Sequence, residues 1–131
     1  MTDNELIRAA AERVMGWAVI PFHAKIEKKI YPALIENASH DWCLIADKRS
    51  WARKWNPLAS DADAFMLVDA IHSRGEYWFR LTTRWDKVNW SAGWTTQECT
   101  GWNGRMDIEV TDPDRRRAIV LAALRAVGVD V

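Results

Sequence analysis

The chain has 131 residues with 18 basic and 18 acidic side chains, so its formal net charge is zero. This balance excludes the basic field of a general nucleic-acid binder, and no apolar run approaches the roughly 20 residues of a membrane span. Residues 1–5 also lack the basic-then-apolar order of a signal peptide. We therefore expect a cytoplasmic protein that binds neither long nucleic acids nor a membrane.

The length predicts a single domain, 1–131, with a core large enough to need no metal or disulfide. The two cysteines, Cys43 and Cys99, stand far apart, without a CxxC motif or a paired histidine spacing. This arrangement argues against a zinc site and a disulfide framework, so both are interpreted as free thiols.

The first predicted helix starts at a capping box formed by Thr2 and Glu5, continues through apolar residues at helical spacing and stops at Gly16. A short helix is then predicted from the spacing of Ile26, Ile30 and Leu34, although Pro32 would kink it.

Residues 42–46 form a compact apolar run that predicts a strand, and the polar residues 47–50 predict a turn. A second helix is expected after Pro57, capped by Ser60 or Asp61 and ended by Gly75. Its buried stripe consists of Ala64, Leu67, Val68 and Ile71.

Nine residues are tryptophan, and four of them fall within residues 78–94, where the pattern changes to a period of two. One side of the first predicted strand carries Tyr77, Phe79 and Leu81, while the other carries Trp78, Arg80 and Thr82. A turn over residues 85–87 leads to a second strand with Val88, Trp90, Ala92 and Trp94 on one face. This pattern predicts an aromatic β-hairpin.

The Asn103-Gly104 pair predicts another turn, followed by a strand in which Met106, Ile108 and Val110 alternate, which completes an antiparallel meander of three strands.

The last helix is predicted to be capped by Asp112, to begin at Pro113 and to end at Gly128. It is apolar on nearly every side except at Arg125, so it must be covered by the sheet and by another helix or a second copy of the chain. A homodimer is therefore one expectation. The arginines at 115–117 predict either a solvated charged turn or a local anion site.

Three stretches, ELIRAAAERVMGW (5–17), WNPLASDADAFMLVDAI (55–71) and RAIVLAALRAVG (117–128), resemble small bacteriophage proteins known as the phage ABA sandwich domain family. The middle stretch also resembles NinX-like phage proteins. The resemblance implies an α+β fold of the α-β-α sandwich type, with a small antiparallel sheet of three to four strands packed between helices. It implies that residues 18–50 are a variable or inserted segment. The family carries no catalytic motif to transfer.

A search for catalytic motifs is mostly negative, because the chain contains no phosphate loop, GxSxG, HExxH or His/Cys ligand cluster. Cys43 and His40 could pair as nucleophile and base, but a cysteine within a strand is expected to be buried and inert. Asp61 and Asp63 could act as paired carboxylates, but their place in the first turn of a helix favours a capping role. We expect no catalytic residue, no metal and no cofactor.

The aromatic hairpin is the best candidate for a binding surface, although core packing is an equal use for tryptophans, above all for Trp90 and Trp94. An exposed Trp/Arg surface could bind a host protein or stack a nucleotide-type small molecule. We therefore expect a non-catalytic phage accessory protein that inhibits a host defence component. Sequestration of a nucleotide-type signal and an unrecognised enzymatic activity are the alternatives. The predicted binding residues are Trp78, Arg80, Arg84, Trp85, Asn89, Trp90 and Trp94.

Overall fold

The structure is a computed structural model that describes residues 1–20, 33–36, 43–46, 53–75, 77–95 and 107–131. Its elements in chain order are α1 (Asp3–Ala9), a π-helical turn (Ala10–Val14), β1 (Ala18–Ile20), β2 (Ala33–Glu36), β3 (Cys43–Ala46), β4 (Arg53–Trp55), α2 (Asp61–His72), β5 (Trp78–Thr83), β6 (Trp90–Thr95), β7 (Ile108–Asp112) and α3 (Arg115–Ala126). The predicted α+β fold is confirmed, because a small antiparallel sheet packs against helices.

The start of α1 follows from the predicted capping box. The backbone N–H of Glu5 donates to Thr2 Oγ1 at 3.2 Å, and the N–H of Thr2 donates to Glu5 Oε2 at 2.7 Å. These bonds lower the pKa of the Glu5 carboxyl, with the Thr2 backbone bond the largest cause. The helix then widens into the π-helical turn, in which the N–H of Met15 donates to the carbonyl of Ala10 at 3.1 Å. It ends at Gly16, whose φ of 71° suits glycine.

Two sheets follow from the strands. In the first, β1 runs parallel to β2, while β2 and β3, and β3 and β4, pair antiparallel. The strand predicted over residues 42–46 is confirmed from Cys43 onward. The helix predicted around Ile26, Ile30 and Leu34 is wrong at its end, because Leu34 belongs to strand β2, which pairs with β1. The rest of that predicted helix and the predicted turn at 47–50 lie outside the described residues.

Helix α2 begins where the sequence places it, because Ser60 Oγ accepts a hydrogen bond from the N–H of Asp63 at 3.3 Å. Asp63 is buried, and its Oδ2 accepts the backbone N–H of Asn56 at 2.9 Å, which anchors the chain entering the helix. Of the predicted buried stripe, Ala64, Leu67 and Ile71 are buried. Because the side chain of Ser60 accepts this hydrogen bond from Asp63, Ser60 is the N-cap of α2 and the alternative, Asp61, is not.

Helix α3 packs on β6 and β7 and lies beside α2, with α1 and the π-helical turn also against it. Its buried residues are Ala118, Ile119, Val120, Ala122, Ala123 and Leu124. These side chains are covered by the same chain, while Leu121 and Val127 are half-buried, and the homodimer stays a prediction. Its C-terminal end is a Schellman motif at Gly128, with φ of 85°, in which the N–H of Val129 donates to the carbonyl of Leu124 at 3.0 Å.

The predicted start of α3 is wrong by two residues. The N-cap is Asp114, whose Oδ1 accepts the N–H groups of Arg116 at 2.8 Å and Arg117 at 3.3 Å. Asp112 instead ends β7, and its Oδ1 accepts the N–H of Asp114 at 2.8 Å. An Asp at either position can bind free backbone N–H groups, so the sequence pattern offered two equivalent caps.

Candidate interaction site at the hairpin

The predicted aromatic hairpin is present as β5 and β6, paired antiparallel from Trp78 opposite Thr95 to Thr83 opposite Trp90. Strand β7 pairs with β6 on its other side, from Trp90 opposite Asp112 to Trp94 opposite Ile108. The three-stranded meander is therefore confirmed. The Asn103-Gly104 turn and Met106 lie outside the described residues.

The register confirms the predicted sidedness of the strands. Directly paired residues share a face, so Phe79 and Leu81 lie on the same face as Trp94 and Ala92. This face packs against α3, and Ala92 and Trp94 are fully buried there. Trp78, Arg80 and Thr82 lie on the opposite face, as the period of two predicts.

Trp94 is a core residue. Its ring lies 4.9 Å from the Phe79 ring and meets the Tyr77 ring edge-on at 6.5 Å between centroids. Among the described residues the indole N–H has no hydrogen-bond partner, and the same holds for Trp55, whose ring packs edge-to-face on Trp17 at 5.1 Å. Trp94 therefore lies away from any surface that could contact a partner.

Trp90 is half-buried at the start of β6, and the Arg115 guanidinium lies 5.8 Å from the centre of its ring. Arg115 is held in this place by Asp61, which accepts from its Nε at 3.0 Å and its Nη2 at 2.5 Å. Arg116 Nε donates to the same carboxylate at 2.9 Å. Hydrogen bonds from Arg115 lower the pKa of the Asp61 carboxyl, helped by the charges of Arg115 and Arg116.

The arginine triplet at 115–117, for which the sequence suggested a solvated charged turn or an anion site, is half-buried and forms ion pairs within the chain. Arg117 completes the pattern by donating to Asp3 Oδ1 at 2.6 Å and lying 3.5 Å from Asp112 Oδ2. All three side chains join α3 to carboxylates elsewhere, two of them on the helices α1 and α2. No local signal could have identified Asp61 as the partner, because it precedes Arg115 by 54 residues.

Trp85 occupies the opposite extreme at the tip of the hairpin, where 89% of its surface is exposed. Its turn is closed by two backbone bonds of 2.9 Å, from Arg84 N–H to the carbonyl of Asn89 and from Lys87 N–H to the carbonyl of Arg84. Lys87 takes the left-handed conformation, with φ of 59°. The indole is thus presented to water on a defined turn.

Asp86 stabilises this turn from within. Its Oδ1 accepts the backbone N–H groups of Val88 at 2.9 Å and Asn89 at 3.1 Å, and its Oδ2 accepts Asn89 Nδ2 at 3.0 Å. These bonds lower the pKa of the Asp86 carboxyl, with the Val88 backbone bond the largest cause. Asn89, predicted as a binding residue, therefore serves the turn, while Val88 stays 65% exposed beside Trp85.

The remaining predicted binding residues flank the tip. Arg84 is exposed, and its Nη1 donates a long hydrogen bond of 3.4 Å to Thr111 Oγ1. Trp78, at the far end of β5, is 40% exposed. Arg80, which lies between Trp78 and Arg84 in the sequence, is half-buried. The structure thus buries Trp94, leaves Arg80, Asn89 and Trp90 half-buried and exposes Trp78, Arg84 and Trp85.

Of the Cys43–His40 pair considered from the sequence, only Cys43 is described, so the pair is not tested. Cys43 lies in β3. His72, the last residue of α2, has its Nδ1 atom 2.8 Å from the carbonyl oxygen of Tyr77. His23, His40 and Cys99 lie outside the described residues. Among the residues that the structure describes, no three His, Cys, Asp or Glu side chains are grouped to hold a metal ion.

Comparison with known proteins finds no matching family model, no matching curated protein and no matching solved structure. No helix within the described ranges is long and apolar enough to cross a membrane.

Proposed function

We propose that this protein is a non-catalytic binding protein that blocks a host protein through the tip of its hairpin. The observation that carries the proposal is the exposure of Trp85 on a turn that is fixed by hydrogen bonds. An indole that faces water gives up the stabilisation that burial offers, roughly 4–6 kcal/mol for a buried area of roughly 150–250 Å². A binding partner would recover it.

The geometry of the tip suits a protein partner. Val88 extends the apolar surface beside Trp85, while Arg84 and Lys87 supply charge at its rim. Tryptophan, tyrosine and arginine are the residue types that contribute most of the binding energy at protein interfaces. Because Asp86 holds the turn in one conformation, little conformational entropy is lost when a partner binds.

Sequestration of a nucleotide-type molecule is the alternative, and the electrostatics favour it less. Arg115 lies against the Trp90 ring, and Arg115 and the neighbouring Arg116 would be the natural phosphate ligands. Both donate to the Asp61 carboxylate, which a phosphate group would have to displace. The protein-blocking function therefore fits the described residues better.

The biological setting rests on the resemblance to small phage proteins. We infer that the chain is encoded by a phage or prophage, acts in the host cytoplasm and inhibits a component of host defence. The exposed indole of Trp85 on a hydrogen-bonded turn supports a function by binding, since inhibition by occupation requires only a binding surface and no catalytic group.

The test is recovery of a partner from bacterial host lysate by the wild-type chain and by two variants. Trp85→Ala is expected to weaken capture about 30-fold or more, as for an interface residue that contributes at least ~2 kcal/mol. Asp69→Ala, an exposed change on α2, is the control and is expected to retain the partner. Trp85→Phe, which keeps an aromatic ring, should give an intermediate loss.

Capture of the same partner by wild type and Trp85→Ala would refute the role of the tip. A nucleotide released from the denatured protein, identified by absorbance and mass, would instead support sequestration over protein blocking.

A further inference from the structure

The three-stranded sheet has two outer strands, β5 and β7. Among the described residues, a side chain bonds the outer edge of β7 but none bonds that of β5. Strand β6 lies between them and is paired on both sides. An outer strand leaves alternate backbone N–H and C=O groups without a strand partner, and these groups can pair with another chain. An edge can therefore bind another strand only where these backbone groups are not already bonded within the chain.

The direction of the backbone groups in β5 follows from the turn. The N–H of Arg84 donates to the carbonyl of Asn89, and these two residues continue the β5–β6 register. Because direction alternates along an antiparallel strand, Trp78, Arg80 and Thr82 bond to β6. Phe79, Leu81 and Thr83 therefore direct their N–H and C=O groups outward.

One outward carbonyl of the β7 edge is bonded by a side chain. Arg125 Nη1 donates to the backbone carbonyl of Glu109 at 3.2 Å, and Arg125 Nε donates to the carbonyl of Val131 at 2.8 Å. Glu109 lies opposite Gly93 in the register, and the same alternation directs its carbonyl outward. Arg125, which is also bonded to Val131, thus covers one outward carbonyl of β7, and a covered edge is one way that proteins block unwanted strand pairing.

The β5 edge carries no such cap among the described residues. It contains no proline, and its six residues pair with β6 without interruption. Three outward N–H groups and three outward carbonyls are therefore presented in a row at Phe79, Leu81 and Thr83. This is the arrangement used when a protein recognises an extended peptide by adding it as a strand.

The charges along β5 and its turn select the kind of strand that fits. Arg80, Arg84 and Lys87 are cationic, while the single carboxylate, Asp86, is bonded to the amides of its own turn. Arg80 is half-buried and forms no ion pair within the described ranges. A second copy of the chain would bring the same cations close together, and antiparallel pairing centred on Arg80 would place the two guanidinium groups opposite each other.

We propose that β5 accepts an extended segment of a partner protein as an added strand, in which acidic and apolar side chains alternate. The acidic residues lie beside Arg80 on one face of the sheet, and the apolar residues lie beside Phe79 and Leu81 on the other. This inference deepens the proposed function and rests on it, since it specifies how a protein target is recognised next to Trp85.

The probe for the test is an acetylated and amidated eight-residue peptide that alternates glutamate and valine. Amide hydrogen exchange is followed by NMR on the full chain with saturating peptide. The outward amides of Phe79, Leu81 and Thr83 are expected to exchange at least about 10-fold more slowly, as newly formed hydrogen bonds protect them. The amides of Arg80 and Thr82, which already bond to β6, should change little.

Two variant pairs separate backbone pairing from other effects. Thr83→Pro removes one outward N–H from an exposed edge position that tolerates proline, and Thr83→Ala is its control because it keeps the N–H. Thr83→Pro is expected to weaken peptide binding about 10-fold, and Thr83→Ala less than about 3-fold. Arg80→Glu should reverse the preference, so that a lysine/valine peptide binds more tightly than the glutamate/valine peptide.

Absence of peptide binding at millimolar concentration would overturn the proposal, as would binding without protection of the outward amides or equal binding of both peptides by the wild-type chain. Strand pairing between two copies, seen as the same protection without peptide and a dimer in light scattering, would also overturn it. If Trp85→Ala still abolishes target capture in any of these cases, the proposed function stands and only the mode of recognition fails.

Discussion

Trp94 and Trp85 belong to the same hairpin, nine positions apart, and have opposite environments. Trp94 is fully buried beneath α3, whereas Trp85 is 89% exposed at the tip. The strand alternation places Trp94 on the face that α3 covers, while Trp85 lies in the turn, beyond the reach of the helix layer. A tryptophan-rich segment thus contains both a core residue and a residue exposed to water.

The difference teaches that residue type alone does not divide a binding surface from a core. Both residues have the same ring and the same N–H donor, and both belong to the tryptophan-rich segment 78–94. Position relative to the covering helix decides which one is buried. Of the substitutions that test this comparison, truncation of the buried Trp94 is expected to have the largest effect on stability.

Trp94→Ala is expected to lower the free energy of unfolding by about 3–5 kcal/mol, because it leaves a cavity among Phe79, Tyr77 and α3. Urea denaturation followed by circular dichroism measures the change. A loss below about 1 kcal/mol would show that Trp94 is not part of the core.

Asp114→Ala is expected to cost about 1 kcal/mol, within a range of about 0.5–2 kcal/mol, because it removes the acceptor for two N–H groups at the start of α3. The same denaturation experiment measures it. Asp112→Ala is the informative companion: a larger loss there than at position 114 would restore Asp112 as the principal cap.

The ion-paired end of α3 predicts a pH dependence. Hydrogen bonds from Arg115 and the charges of both arginines hold the Asp61 pKa below its ordinary value of 3.8. A carboxyl whose pKa is lowered by folding stabilises the native state above the unfolded pKa, and that stabilisation is lost as the pH falls through the folded pKa.

Thermal stability should therefore decrease as the pH is lowered below 3.8, and Asp61→Asn should show a shallower decrease over that range. Glu5 and Asp86 also have lowered pKa values, so the slope is reduced rather than abolished. Asp69→Asn, on the same helix, is the control. A profile for Asp61→Asn parallel to wild type would mean that the pairs with Arg115 and Arg116 do not form in solution.

Trp85→Ala is expected to have the smallest effect on folding, within about 0.5 kcal/mol, because its side chain is surrounded by water. In fluorescence quenching by acrylamide, the variant should lose a strongly quenched component that Trp94 does not supply. Greater destabilisation by Trp85→Ala than by Trp94→Ala would reverse the comparison on which the proposed function rests.

Much of the local structure could be predicted from short-range patterns. The capping box at Thr2 and Glu5, the cap at Ser60, the sidedness of β5 and β6 and the stop at Gly128 all depend on residues within a few positions of one another. The start of α3 was wrong because Asp112 and Asp114 present the same local chemistry.

The candidate site was less predictable. Trp78, Arg80, Arg84 and Trp85 were proposed as binding residues on composition, and their role stays a prediction. The part of Asn89 in the turn was missed, although Asp86 three residues earlier is a recognisable turn signal. The cap of Arg125 on Glu109 had no signal in the sequence, because it depends on how α3 crosses the sheet.

Most helix starts and the alternation of β5 and β6 could be read from the sequence, because capping bonds and periodicity act over a few residues. The packing of the helices on the sheet was needed to show that Asp61 joins Arg115 and Arg116, that Arg125 bonds the outward carbonyl of Glu109 and that Trp85 faces water while Trp94 does not. The physical reason is range. Contacts between residues that are distant in sequence form only when the helices pack on the sheet, and this packing sets which surfaces are left for a partner.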